Sequence, residues 1–132
     1  MEDLKKRFIV EENLEEKKTS GYIERLLPFC KISNSGDILL GEKALTTLEK
    51  VKIALVARYL ANHIEPSISA EITPEELVTC LDISKEQIFA RLKDVRDDKF
   101  AHGSGNSGYK VKPLEIGKFL DELEKKYCGD KK

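Results

Sequence analysis

Acid–base and nucleophilic catalysis need a histidine, a thiol or converging carboxylates with a partner in reach. The 132-residue chain has two histidines, His63 and His102, and three cysteines, Cys30, Cys80 and Cys128. His63 falls near the end of a core helix and His102 in an extended run, and neither has a sequence neighbour that would orient it. A Cys80–His63 nucleophile is weighed against the placing of Cys80 on the inward side of a short helix, where thiols are commonly inert. The cysteines are odd in number, widely spaced and never in a CxxC pair. That spacing points to neither a disulfide framework nor a zinc cluster, and to a reducing compartment. Gly103, Gly105 and Gly108 resemble a phosphate loop only in spacing, because they lie between two extended runs and precede no helix whose dipole would face an anion. The expectation is no enzyme, no metal and no cofactor.

Side chains that touch phosphates and base edges are better represented. Lys85, Gln87, Arg91 and Lys93 recur along one helical stretch with Phe89 among them, and His102, Ser104, Asn106, Lys110 and Lys112 follow along a hairpin. A helix fits the major groove and a hairpin can reach the neighbouring backbone. From Thr73 to Lys112 the cations are Lys85, Arg91, Lys93, Arg96, Lys99, Lys110 and Lys112, and the anions Glu75, Glu76, Asp82, Glu86, Asp94, Asp97 and Asp98 equal them in number. Phosphate affinity scales with the cations engaged, so this balance favours binding only if the acids face away. Periodicity allows Lys85 and Arg91 a face apart from Asp97 and Asp98. The plainer readings are that Lys93 and Arg96 are solvated surface charges, that Tyr109 packs on the domain, and that Phe89 is a core residue or an anchor for a protein partner.

The elements that would position these residues are marked locally. Thr73, Pro74 and Glu76 form a capping box with proline in the first turn, and Ser84 with Gln87 repeats the cap. Two helices that close predict a tight turn near Leu81, with Leu77, Leu81, Ile88, Leu92 and Val95 facing inward. Lys99–His102 and Gly108–Lys112 read as two short strands around the turn residues Gly103–Ser107. The order helix, turn, helix, hairpin resembles the winged helix-turn-helix family, with SKEQIFARLKDVRDDKF similar to its recognition helix running into the first wing strand. The resemblance covers roughly Thr46 to Tyr127. It implies a mostly α (α+β) fold in which Ile68–Ile72 joins the wing as the third strand of a small sheet. It also implies duplex-DNA binding through helix 85–98 and wing 100–112, as in a transcriptional regulator. Winged helices serve as protein- and RNA-binding modules too, so a docking module for a protein or ribonucleoprotein is the alternative.

Upstream, Asp3–Lys18 is helix-prone, Thr19-Ser20-Gly21 breaks the pattern, and Tyr22, Ile23, Leu26 and Leu27 share a face of a short helix ended by Pro28. Phe29–Ser33 and Ile38–Leu40 form a hairpin around Asn34–Asp37. Thr46 and Glu49 cap a long helix, Leu48, Val51, Ala54, Leu55, Ala57, Arg58, Tyr59, Leu60 and Ile64, apolar around much of its circumference. Pro113 opens a last amphipathic helix through Ile116, Phe119, Leu120, Leu123 and Tyr127. The division is 1–42 as an N-terminal extension, 43–128 as the winged domain and 129–132 as a frayed tail. Excess apolar surface at Tyr22–Phe29 and on the last helix predicts a homodimer. A net charge of −1 from 23 basic and 24 acidic residues creates no global pull toward polyanions. With no apolar signal core after Met1 and no run of membrane-span length, the expectation is a cytoplasmic protein.

Overall fold

The computed structural model describes residues 16–41 and 45–127. The expected helix from Asp3, as far as residue 15, and the tail with Cys128 lie outside those residues. In chain order the elements are α1 (Glu16–Leu26), β1 (Cys30–Ile32), β2 (Ile38–Leu40), α2 (Thr47–Ile64), α3 (Pro74–Leu81), α4 (Lys85–Asp97), β3 (Ala101–His102), β4 (Lys110–Val111) and α5 (Pro113–Tyr127). The class is therefore α+β, with five helices and two small antiparallel pairs among the described residues.

α2 is the axis. Nine consecutive or near-consecutive positions from Val51 to Leu60 are buried on it, as expected for a helix apolar on most sides. It packs against α1, α3, α4, β1, β2 and β4. Its start is fixed by the predicted capping box: Glu49 N–H donates to Thr46 Oγ1 at 3.1 Å and Thr46 N–H donates to Glu49 Oε1 at 2.9 Å. α3 begins in the same way on Thr73 and Glu76, at 3.2 and 2.9 Å. α4 has half of the device, since Gln87 N–H donates to Ser84 Oγ at 3.3 Å and the Gln87 side chain makes no return bond in its cap. Asp82, left-handed at φ 56°, closes α3 by donating its N–H to Val78 O at 3.0 Å, a conformation that Asp adopts more readily than most residues. The residues expected to face inward, Leu77, Leu81, Ile88, Leu92 and Val95, are all buried.

Two expectations change. The helix α1 runs through Thr19-Ser20-Gly21 without a break. Thr19 is 4% exposed, and packing against α2 and α5 outweighs the weak propensity of these residues. The third strand expected at Ile68–Ile72 is reduced to one antiparallel bridge, Ile72 to Tyr109, with N–H···O distances of 3.0 and 2.8 Å. Ser69 Oγ accepts from Glu71 N–H and Arg58 takes the carbonyls of Ser69 and Glu71, which turns this stretch toward α2 instead of along the hairpin. Part of the apolar surface that suggested a homodimer packs within the chain, while Leu27, Ile64 and Leu114 stay exposed. Leu26 and Phe29 are buried beside β1 and α2, and Ile116, Phe119, Leu120 and Leu123 of α5 are buried too. Arg25 pins α1 to α5 through Asp121 and Glu124, and Tyr22 lies against Gly117, where an added methyl would stand 2.8 Å from its hydroxyl. The residues on either side of 42–44 thus share one core.

Candidate functional site

On α4, Ile88, Leu92 and Val95 turn inward, so helical phase puts Glu86, Ala90, Lys93 and Asp97 at the solvent apex, and all four are exposed. The predicted contact residues flank that apex. Lys85 and Phe89 lie one turn apart on one shoulder, with Lys85 Nζ 6.0 Å from the centre of the half-buried Phe89 ring. Gln87 and Arg91 lie on the other. Arg91 Nε is 2.9 Å from Asp94 Oδ2, yet it is buried without an aligned hydrogen-bond acceptor. The distance is that of an ion pair and the angle is not that of a hydrogen bond. Lys93 Nζ donates to Asp97 Oδ2 at 3.0 Å. Two of the helix cations are therefore matched by acids of their own helix, three and four residues on.

The hairpin arranges its residues by strand alternation. Ala101 pairs with Val111, both buried, while His102 stands opposite Lys110 on the other face with Lys112 two residues further. Lys110 folds over the Tyr59 ring, Nζ 5.7 Å from its centre. The tip is braced internally: Ser107 Oγ donates to Ser104 O at 2.5 Å and accepts from Ser104 N–H at 3.2 Å, and Tyr109, buried, donates its hydroxyl to Gly105 O at 3.2 Å. At Gly103 any side chain would collide with the Tyr109 ring, 2.7 Å from an added methyl. Lys99, at φ 62° after α4, swings the chain into this hairpin.

One cleft joins the two halves. It has a volume of about 380 Å³ and is lined by Pro74, Glu75, Val78 and Thr79 of α3, Lys85 and Phe89 of α4, and Asn106 of the hairpin tip. Of the predicted residues, Lys85, Phe89 and Asn106 are brought together there, and His102, Lys110 and Lys112 share the hairpin face. Arg91 and Gln87 fall on the opposite shoulder of α4. A second, mostly apolar groove of about 330 Å³ runs between α1, β1 and the outer face of α2, flanked by exposed Leu27 and Ile64.

Sequence reasoning missed the residue that holds this arrangement in place. Arg58, 4% exposed in mid-α2, donates from Nε to Gly36 O at 2.8 Å, from Nη1 to Glu71 O at 2.6 Å and Ser69 O at 3.3 Å, and from Nη2 to Glu76. It ties the β1–β2 turn, the approach to α3 and the α3 cap to one guanidinium. Gly36 has φ 94°, and a methyl added there would sit 3.1 Å from Arg58 Nε. The signal was a lone cation inside an apolar run. Burial pushes the Glu76 carboxyl up, and the hydrogen bonds from Thr73 and Arg58 outweigh it, leaving its pKa below the ordinary value.

The residues weighed for catalysis have separate partners. Cys80, half-buried, directs Sγ at Asp37 Oδ1, 3.8 Å away, and His63 Nδ1 lies 3.1 Å from Tyr59 O with its ring against Tyr59. Cys30 is buried, which pushes its thiol up to about 12. Among the described residues no group of three His, Cys, Asp or Glu is placed to hold a metal ion, and no helix is long and apolar enough to cross a membrane. Comparison with family models, with curated proteins and with solved structures finds no match.

Proposed function

We propose that this chain is a winged helix-turn-helix protein that binds duplex DNA through α4 and the β3–β4 hairpin, in the role of a transcriptional regulator. The observation that carries the reading is the juxtaposition of the capped α4 and the glycine-tipped hairpin, with Lys85, Phe89 and Asn106 around one cleft and His102, Lys110 and Lys112 on one hairpin face. The Ile72–Tyr109 bridge sits where the third wing strand of that family would pair. The contact set narrows: Lys85 and Lys112 carry phosphate contacts, and Arg91 and Lys93 are engaged by Asp94 and Asp97. In duplex titrations, Lys85→Ala and Lys112→Ala should each weaken binding to all sequences alike and lower the salt slope by about one. Arg91→Ala should leave that slope unchanged. Absence of duplex binding at low salt, or equal slopes for all three variants, would refute the assignment.

One observation favours a second reading, a module without enzymatic activity that docks a protein or ribonucleoprotein. Phe89 is half-buried beside Val78 and Pro74 in a cleft that an apolar side chain of a partner would fit. Under that reading Phe89→Ala removes partner binding and Lys112→Ala does not.

A further inference from the structure

We propose that the cleft between α3, α4 and the hairpin tip holds a single unpaired nucleotide, its base against Phe89, its phosphate on Lys85 and its edge read by Glu75 and Asn106. The inference rests on the nucleic-acid reading of this face, but the two can fail separately.

Each wall supplies a different recognition group. Phe89 presents part of an aromatic ring, and Lys85, one turn earlier, holds a cation over it, 6.0 Å from its centre. Across from them α3 places Glu75 and Thr79, one turn apart, with Pro74 and Val78 between the polar groups as apolar floor. Asn106 closes the third side with an amide that both donates and accepts. The volume, about 380 Å³, lies in the lower part of the range of small-ligand sites, roughly 300–1,000 Å³. A flat ring with a hydrogen-bonding edge and an attached anion uses all of these groups. An apolar peptide side chain would use Phe89 and Val78 and leave Lys85, Glu75 and Asn106 without a role. A base within a duplex is stacked on both faces and cannot present one to Phe89, so the occupant must be unpaired. An ionised carboxylate only accepts hydrogen bonds, so Glu75 favours bases with an exocyclic amine over thymine or uracil, whose single edge donor, N3–H, is flanked by two carbonyl oxygens that repel it.

The test is a titration of labelled oligo(dC), oligo(dA) and oligo(dT) single strands and of a duplex onto the wild-type chain and the variants Phe89→Leu, Glu75→Gln and Lys85→Ala. Circular dichroism would verify that each is folded. Oligo(dC) and oligo(dA) should bind more tightly than oligo(dT), and Glu75→Gln should erase that preference. Phe89→Leu should lower single-strand affinity about tenfold, which corresponds to the lower part of the stacking contribution of one base. If Phe89→Leu fails to fold, the exposed Lys85→Ala must show a comparable loss on single strands. Duplex binding without single-strand binding overturns this inference and spares the duplex reading. Single-strand binding that depends on Phe89, without duplex binding, does the reverse. Single-strand affinity indifferent to Phe89→Leu and Lys85→Ala, or a cleft that takes apolar peptides in place of oligonucleotides, also overturns it.

Discussion

A guanidinium in the middle of a buried helix is tolerated only when its nitrogens find acceptors, and each of the three in Arg58 does, on three carbonyls and one carboxylate. Arg58→Ala leaves the Gly36 and Glu71 carbonyls and the Glu76 carboxylate short of a donor. The loss should be about 1–3 kcal/mol for each buried carbonyl left without a donor, read as a lower urea midpoint at unchanged slope. Glu76 gives the pH signature of the same cluster. Its folded pKa lies below its unfolded value, so its contribution is complete above the ordinary carboxylate range, about pH 4.3, and is lost as pH falls through the folded pKa. Acid unfolding of Glu76→Gln should therefore show a shallower decline over that interval than the wild type, and an identical decline would contradict the assignment. The lone cation and the Thr73–Glu76 cap were visible in sequence, but their connection was not. Periodicity placed position 58 on a core helix, but it says nothing of a turn 22 residues upstream that supplies the acceptor.

The elements were far easier to read than their long-range ties, because caps and turns are written in neighbouring residues. Thr46 with Glu49 and Thr73 with Glu76 need only a separation of three, and both helices start where those pairs put them. Both hairpins follow from turn residues between short extended runs. The misjudged elements were those decided by tertiary contact. α1 persists through Thr19-Ser20-Gly21 because α2 and α5 cover it, and Ile72 makes a bridge and not a strand because Arg58 holds the preceding carbonyls. The anchoring of α1 and β1 to the rest can be probed at Phe29, which is 1% exposed and meets Tyr127 edge to face with ring centres 6.0 Å apart. Phe29→Ala should cost about 3–5 kcal/mol in a single cooperative transition. A first, separate transition for the N-terminal elements would contradict the single core.

At the scale of the molecule, pairing decides which charges stay available. Pairing removes Arg91 and Lys93 with Asp94 and Asp97, and Glu76 turns to Arg58. Between Thr73 and Lys112, Lys85, Arg96, Lys99, Lys110 and Lys112 then stand outside any ion pair among the described residues, against Glu75, Asp82, Glu86 and Asp98. The candidate residues could be named from sequence, since helix phase and hairpin register are local. Which of them would be neutralised by a neighbour three or four residues along depends on rotamers, and the cleft depends on how close the hairpin tip comes to α3. The salt dependence of duplex binding tests the central claim most directly. If Lys85 and Lys112 meet phosphates, log Kd should rise with log salt with a slope of about 1.8, and Lys85→Ala should lower it by about one. A slope near zero, or one that Lys85→Ala leaves untouched, would contradict the account.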